Sequence, residues 1–228
     1  MNTALFENRT DAGRALAAKV KAKVRDRDVL VLALPRGGVP VAFEVARALQ
    51  APLDVFLVRK LGMPGEEELA IGAIASGGIR VLNRDLIRYL RVPDAVIEEV
   101  TARERLELER RERSYREGRP PLVVTGRTVV LVDDGLATGA SMLAAARALR
   151  EQHAGEIIIA VPVAARQTCN EFRKEVDEII CAATPDPFNA VGIWYEDFSQ
   201  TTDEEVRALL EQASRETPEP QASHWSPA

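Results

Sequence analysis

Residues 128–141 have the sequence TVVLVDDGLATGAS, and they lead directly into an alanine-rich, helix-favouring segment, 142–149. The run from Thr128 to Val132 consists of β-formers, which favour a strand buried on both faces, as in a parallel sheet. Two adjacent carboxylates, Asp133 and Asp134, end this strand, and a loop of small and hydroxyl residues follows. Because a helix N-terminus leaves backbone N–H groups free, such a loop is suited to a phosphate. Two acids that can bind hydroxyl groups lie next to a loop that can bind a phosphate. This combination predicts a sugar phosphate as the ligand.

Segments of the same kind occur on both sides of this unit. Each strand-like run of apolar residues is followed by a helix-favouring one, and this alternation predicts a three-layer α/β/α fold with a mainly parallel central sheet. In open sheets of this type, ligands bind at the carboxyl ends of the strands. The other predicted strands are 28–34, 53–58, 156–164 and 177–183, and the predicted helices are 10–24, 41–49, 165–176 and 202–213.

The alternation is interrupted over residues 62–120. A glycine-containing acidic loop, 61–69, is a candidate mobile lid, and a hairpin follows it. Residues 93–117 carry Glu and Arg at the i,i+4 spacing typical of one long solvated helix, with a partner surface as the alternative role. We therefore expect a single domain over 1–213 that contains this insertion, and a disordered tail over 214–228.

Two further groups of ligand-like residues follow predicted strands. Arg36 supplies a forked cation that suits phosphate oxygens, and Gly37 and Gly38 free the backbone to approach a ligand. Arg59 and Lys60 place two cations after the next strand, where a polyanion could bind. The alternatives are a Gly-Gly turn with a solvated arginine in the first case, and ordinary surface charge in the second.

Composition narrows the classes of function. The chain has 228 residues, 46% of them hydrophobic and 29% charged, and its net charge of −5 argues against general nucleic-acid binding. Cys169 and Cys181 are too few for a disulfide framework or a zinc site, and we interpret each as a small buried hydrophobe. The sequence contains no signal-peptide pattern and no membrane-spanning run, so we expect a cytoplasmic protein without membrane contact. Nucleotide-binding P-loop, dinucleotide-binding and serine-hydrolase motifs are absent.

The central segment resembles a known family signature. Residues 129–141 are similar to the phosphoribosyl pyrophosphate (PRPP) signature of type I phosphoribosyltransferases, which has four apolar residues, two acids and a Thr-Gly loop. Residues 35–38 resemble the pyrophosphate loop of that family, and 191–198 resemble the Val-Gly-aromatic segment that lines the base site of its purine members. The resemblance covers roughly 28–198 and implies a Mg²⁺-dependent phosphoribosyltransferase active in nucleotide salvage.

The resemblance also implies a role for each matching residue. Asp133 and Asp134 would hold the ribose hydroxyls, and one of them would also position Mg²⁺, through the ligand or through water, or steady positive charge at the anomeric carbon. Arg36 would assist catalysis at the pyrophosphate. Asp197, or its neighbour Glu196, corresponds to an acid that meets magnesium in purine-using relatives. The full set of implied PRPP-binding residues is Arg36, Gly37, Gly38, Arg59, Lys60, Asp133, Asp134, Ala137, Thr138, Gly139, Ala140 and Ser141.

The acceptor is less closely specified. A purine is the first candidate among nitrogenous bases, with Phe188, Val191 and Trp194 as base-binding residues, and core packing is the alternative role for these aromatic side chains. The acidic loop and the charged helix depart from the familiar purine and pyrimidine enzymes. A protein that senses PRPP without turning it over is therefore the second hypothesis. The state of assembly stays open, with a homodimer as one candidate.

Overall fold

A computed structural model describes residues 4–24, 28–121 and 123–217. None of its helices within these ranges is long and apolar enough to cross a membrane. The helices are α1 (Arg9–Lys23), α2 (Gly38–Leu49), α3 (Arg84–Leu90), α4 (Asp94–Arg116), α5 (Ala140–Glu151), α6 (Arg166–Phe172) and α7 (Asp203–Glu216). The strands are β1 (Val29–Ala33), β2 (Leu53–Val55), β3 (Val58–Met63), β4 (Glu66–Ala75), β5 (Ile79–Leu82), β6 (Thr128–Val132), β7 (Glu156–Val163) and β8 (Glu178–Ala183).

The central sheet has five parallel strands in the order β2-β1-β6-β7-β8. Strand β6 lies in the middle, where Leu131 pairs with Leu32 of β1 and with Ile159 of β7. Every residue of β1 and β6 is buried, which explains why both strands are continuously apolar rather than alternating. The predicted mainly parallel sheet is confirmed.

Helices cover both faces of this sheet. Val29, Val31 and Ala33 of β1 share one apolar cluster with α1, α2 and α7, whereas Leu30 and Leu32 share the other with α5 and α6. Because successive side chains of a strand point to opposite faces, each strand contributes to both clusters. The predicted three-layer arrangement is therefore confirmed.

The predicted mobile lid is instead part of a second sheet. Strands β3, β4 and β5 form an antiparallel sheet, and the acidic residues 66–68 open strand β4 after a tight turn at Pro64 and Gly65. Glycine has φ +83° at position 65, the left-handed conformation that such a turn requires. The sequence interpretation as a loop was wrong, because the glycines here mark a turn and bulges in a hairpin whose pairing shifts near Gly62.

The long charged helix is confirmed as α4. Its narrow apolar side buries Ile97, Val100 and Leu108, while most of its charged residues face solvent. The short helix α3 was not foreseen from the sequence. Asn83 caps it by accepting the Leu86 N–H at 3.1 Å, and its apolar residues Leu86, Ile87 and Leu90 pack partly buried against the core. A helix of seven residues is too short for these three positions to establish a helical period in the sequence.

Three smaller predictions need correction. Helix α6 ends at Phe172 rather than near residue 176, and Ser214 to Glu216 belong to α7 rather than to a tail. Thr217 follows this helix as its C-cap, and the predicted tail from residue 218 onward lies outside the described residues. Cys169 of α6 and Cys181 of β8 belong to one apolar cluster, in agreement with their interpretation as small hydrophobes, but they pair as a disulfide, which the sequence did not predict. Their contact depends on tertiary packing, which spacing along the chain does not reveal.

Candidate active site

The two acids at the end of β6 have different surroundings. Asp133 Oδ1 accepts the backbone N–H of Asp134 at 2.8 Å, which turns its carboxyl inward. Burial and the neighbouring Asp134 raise the pKa of Asp133 well above its usual value. Burial also raises the pKa of Asp134, but a hydrogen bond from Arg9 opposes that shift. The two identical side chains are therefore chemically distinct.

Arg9 reaches this pair from the first residue of α1. Its Nε donates to Asp134 Oδ2 at 2.8 Å, and its Nη1 donates to the backbone oxygen of Ser199 at 2.6 Å. Its guanidinium carbon lies 4.0 Å from the centre of the Phe198 ring. Sequence reasoning missed Arg9, because the helix was predicted to begin at residue 10. In the structure the helix begins at Arg9, where a cation is unfavourable next to the positive end of the helix dipole unless it has another partner.

The Gly-Gly loop after β1 packs directly on the acid pair. A β-carbon at position 37 would lie 2.0 Å from Asp134 Oδ2, and one at position 38 would lie 2.8 Å from the Val132 oxygen. Substitution at either position would therefore displace this loop or the acids. The sequence assigned these glycines to ligand approach, and the structure shows that contact with the acid pair also requires them.

Arg36 follows a cis peptide bond and lies beside the start of α7. Its Nη1 is 3.8 Å from Asp203 Oδ1, and its side chain is 38% exposed. Asp203 also accepts a 2.7 Å hydrogen bond from the Tyr115 hydroxyl of α4. The cation assigned to pyrophosphate is thus accessible, and an acid of α7 is its neighbour.

The predicted phosphate loop lies at the N-terminus of α5. Thr138, Ala140 and Ser141 are at least partly exposed, and Gly139 adopts φ +72° just before the helix begins. A first helical turn leaves its N–H groups without intrahelical acceptors. Within the described ranges, no protein acceptor is assigned to the backbone N–H groups from Thr138 to Ser141. These donors are therefore available to an anion.

Helix α6 supports this loop from below. The Thr168 hydroxyl donates to the Ala137 oxygen at 2.9 Å, and Leu136 N–H donates to the Val163 oxygen at 2.8 Å. A β-carbon at position 139 would lie 2.5 Å from the Phe172 ring. Sequence reasoning missed Thr168 and Phe172 because their partners are distant along the chain. Thr168 and Phe172 hold the loop from the side of α6 and leave its opposite side open.

The sequence predicted that Arg59 and Lys60 end a strand of the parallel sheet, and this prediction was wrong. Strand β2 stops at Val55, and both cations lie within β3 of the second sheet, on opposite faces. Arg59 makes two hydrogen bonds to Glu104 of α4, at 2.6 and 2.9 Å. Lys60 faces a cleft of about 470 Å³ that also borders Ala140 and Ser141.

The aromatic segment lies over the acid pair. Gly135 packs against Val191, since a β-carbon there would come within 2.4 Å of a valine methyl group. The Tyr195 hydroxyl donates to the backbone oxygen of Asp134 at 2.5 Å. Phe188 and Trp194 stack on each other with ring centres 6.3 Å apart. Val191 is therefore near the acid pair, and the rings of Phe188 and Trp194 pack against each other.

Asp197 lies on the exposed end of this segment. Its Oδ1 accepts the Ser199 N–H at 2.8 Å, and these hydrogen bonds lower the pKa of Asp197. The backbone N–H of Glu196 donates to the Phe6 oxygen at 2.9 Å. Both acids are exposed, and they lie near the N-terminal segment.

Comparison with known proteins identifies the family. The family model described as phosphoribosyl transferase domain matches residues 2–195. The chain belongs to this family. The match includes the acid pair, the phosphate loop and the Gly-Gly loop, so the resemblance inferred from the sequence is confirmed.

Relatives of this phosphoribosyl transferase domain include proteins from two strains of Mycobacterium tuberculosis that bear a provisional phosphoribosyl transferase name. Each is 48% identical over 212 residues, which is 93% of this chain and 48% of the relative. The chain thus spans about half the length of these curated relatives. The crystal structure of TT1426 from Thermus thermophilus is similar with a TM-score of 0.81 and 43% identity, over 91% of this chain and 98% of that chain.

The phosphoribosyl transferase domain has few candidate metal ligands. Within the described residues, no cluster of three or more His, Cys, Asp or Glu side chains could hold a metal by itself. Asp133 Oδ2 and Asp134 Oδ1 have no hydrogen-bond donor assigned within these ranges. Because Mg²⁺ binds through one or two carboxylates together with water and substrate phosphates, this donor set fits it.

Proposed function

We propose that this domain transfers the 5-phosphoribosyl group of PRPP to a nitrogenous base, with a purine as the first candidate. The observation that carries the proposal is the proximity of three ligand-like groups on two neighbouring loops. The acid pair after β6 touches the Gly-Gly loop after β1, and the open phosphate segment of the same loop begins three residues beyond Asp134. PRPP carries hydroxyls, a pyrophosphate and a 5-phosphate, one group for each of the three.

The proposed binding mode divides PRPP among these residues. Backbone donors from Thr138 to Ser141 bind the 5-phosphate, since a helix N-terminus favours an anion. The free carboxylate oxygens of Asp133 and Asp134 accept hydrogen bonds from the ribose hydroxyls. Arg36 turns from Asp203 to the pyrophosphate, because a pyrophosphate carries more negative charge than one carboxylate.

The reaction breaks the bond between C1 and the pyrophosphate oxygen and forms a bond from C1 to a nitrogen of the base. Positive charge develops on the ribose ring in an oxocarbenium-like transition state, and the acid pair stabilises that charge. Mg²⁺, held by the acid pair and the substrate oxygens, would neutralise charge on the leaving group when bound. Arg36 stabilises the same negative charge from the protein side.

The proposed acceptor site lies next to the loop that follows the acid pair. Ala165 donates its N–H to the Leu136 oxygen at 3.3 Å, and it borders a cleft of about 630 Å³ with Phe188 on its far wall. Arg166 and Asp186 also line the cleft and offer groups for hydrogen bonding. A planar base with polar edges fits such a lining. For Phe188 and Trp194 to stack on the two faces of the base, their rings would first have to separate.

Pyrophosphate release tests this proposal. The protein is incubated with PRPP, Mg²⁺ and separate purines, pyrimidines and nicotinate-like acids, and we expect release with at least one base. Absence of release with every base, together with absence of PRPP binding, would contradict the proposal. Because the chain spans about half the length of its curated relatives, the same set of bases is also tested with a full-length relative as the matched comparison.

PRPP sensing without turnover is the second candidate, and one observation favours it. Arg36 and Arg59, two cations assigned to pyrophosphate, have Asp203 and Glu104 as neighbours within 3.8 Å. If these ion pairs persist with PRPP bound, leaving-group charge is poorly stabilised. Calorimetry separates the candidates: PRPP binding without release on any base supports a sensor.

A further inference from the structure

The residue with the largest set of contacts at the acid pair lies outside the loops at 35–38 and 133–141. Arg9 lies on α1, yet its guanidinium contacts Asp134, the Ser199 oxygen and the Phe198 ring at once. Its side chain is 12% exposed, so these contacts hold it in one place. A β-carbon at position 37 would also lie 3.2 Å from its Nε.

We propose that Arg9 is a positioning residue that orients the Asp134 carboxylate toward the ribose hydroxyls of PRPP. This inference rests on the proposed function and assigns a role to a segment outside the family signature. Arg9 acts through Asp134 and has no contact with the ligand in this assignment.

The geometry of the contact supports this role. Arg9 binds Oδ2 of Asp134, which leaves Oδ1 as the oxygen available to a ligand. A carboxylate bound at one oxygen by a fixed guanidinium cannot rotate freely about its terminal bond, and a pre-oriented acceptor binds its donor with a smaller loss of entropy. Asp133 is fixed differently, by a backbone N–H, so the two acids are oriented by separate devices.

The anchors of Arg9 distinguish it from an ordinary surface ion pair. Arg14, on the same helix, lies 3.6 Å from Glu44 and is 64% exposed. Arg14 contributes little to this pair, because solvent screens its guanidinium and the buried Glu44 has a nearer partner in Arg47, at 2.5 Å. Arg9 has a hydrogen bond to a backbone oxygen and an aromatic face in addition to its acid, and these contacts restrict its geometry.

The test compares two ligands on the same variants. Inorganic phosphate occupies the phosphate loop without presenting hydroxyls, whereas PRPP with Mg²⁺ presents both. In Arg9→Gln we expect the Kd for PRPP to rise about tenfold, which corresponds to about 1.4 kcal/mol, while the Kd for phosphate changes less than about twofold. Arg9→Lys should recover part of the loss, and Arg14→Gln should leave both affinities unchanged.

A double-mutant cycle provides the second measurement. If Arg9 acts through Asp134, adding Arg9→Gln to Asp134→Asn changes PRPP affinity by less than about twofold, since the interaction is already lost. Equal weakening of phosphate and PRPP in a folded Arg9→Gln protein would overturn the inference and indicate a purely structural role. An unchanged PRPP affinity would overturn it as well.

Failure of this inference differs from failure of the proposed function. A wild-type protein that does not bind PRPP contradicts the function itself. A wild-type protein that binds PRPP and an Arg9→Gln variant that binds it equally well contradict the role of Arg9 alone. Thermal unfolding of each variant identifies any that does not fold, and Arg9→Lys then replaces Arg9→Gln in the comparison.

Discussion

Asp133 and Asp134 illustrate how neighbouring identical residues acquire different chemistry. Successive positions at a strand end point in different directions, so Asp133 faces a backbone N–H and Asp134 faces Arg9. Desolvation raises the pKa of both carboxyls, and an arginine opposes that effect mainly at Asp134. Pairs of acids whose environments shift their pKa values by different amounts are typical of sites that stabilise developing charge.

At the residue scale, the proposed roles predict losses of activity. Asp134→Asn removes charge that stabilises the transition state, and Arg36→Ala removes a cation from the leaving group. We expect each substitution to lower kcat/KM for PRPP at least about tenfold, or about 1.4 kcal/mol. Pyrophosphate release measures the effect. Glu211→Gln and Arg215→Ala, in an exposed pair on α7, are the controls, and equal losses there would contradict the assignment.

At the element scale, α4 is attached to the central sheet through charge as well as apolar contact. Arg116, near its end, donates to Asp54 Oδ2 of β2 at 2.9 Å and to the Val55 oxygen at 3.1 Å, and both charged side chains are nearly buried. Elsewhere along α4, Glu104 and Glu98 pair with Arg59 and Arg80 of the second sheet. The helix therefore joins the two sheets.

The buried pair predicts a large effect on stability. In Arg116→Ala, the buried hydrogen bonds from Arg116 to Asp54 and to the Val55 oxygen are lost, and we expect the free energy of unfolding to fall by about 3 kcal/mol. Urea unfolding measures this change. Arg110→Ala, on the same helix, removes an exposed partner of Glu107 and should change stability by less than about 0.5 kcal/mol. Similar values for the two variants would refute the anchoring role.

The contact between α4 and α7 predicts sensitivity to alkaline pH. Burial, then the hydrogen bond to Asp203, raises the pKa of Tyr115 from 10.0 to about 12. The unfolded chain therefore releases this proton first, so the contribution of Tyr115 is full below pH 10 and is lost as the pH rises toward 12. Thermal unfolding between these pH values should show a steeper decline in wild type than in Tyr115→Phe. Equal declines would contradict the assignment.

At the scale of the whole molecule, the parallel sheet assembles the site from distant segments. The carboxyl ends of β1 and β6 lie side by side, which brings the loop at residues 35–38 to the loop at 133–141. Helix α1 and the segment at 198–199 then add Arg9 and its partners. The site exists only when the whole domain is folded, and a ligand bound there stabilises the domain as a unit.

This coupling predicts a shift in the melting temperature. PRPP with Mg²⁺ at about one hundred times its Kd should add about 2.7 kcal/mol, which corresponds to roughly 5 to 10 °C for a chain of this size. Differential scanning fluorimetry measures the shift, with ribose as the control that lacks phosphates. Removal of Mg²⁺ by EDTA should reduce it, and a shift insensitive to EDTA would argue against the metal.

Local patterns predicted much of the fold and the centre of the site. Residues 128–141 specify a buried strand, an acid pair and a helix start through local chemistry, and the alternation around them specifies the layers. The acidic hairpin was misassigned because a tight turn and a loop share glycine and proline. The short helix α3 was missed because its apolar side, Leu86, Ile87 and Leu90, covers too few residues to establish a helical period.

The sequence by itself determined the parallel core, the acid pair and the phosphate loop, because each depends on residues adjacent along the chain. Only the tertiary structure decided that Arg9 binds Asp134, that Thr168 and Phe172 hold the phosphate loop, and that Arg59 pairs with Glu104. The hydrogen-bonded partners in these contacts are between 31 and 125 residues apart. Side-chain pairing at such separations follows from how the layers pack, which no local pattern encodes.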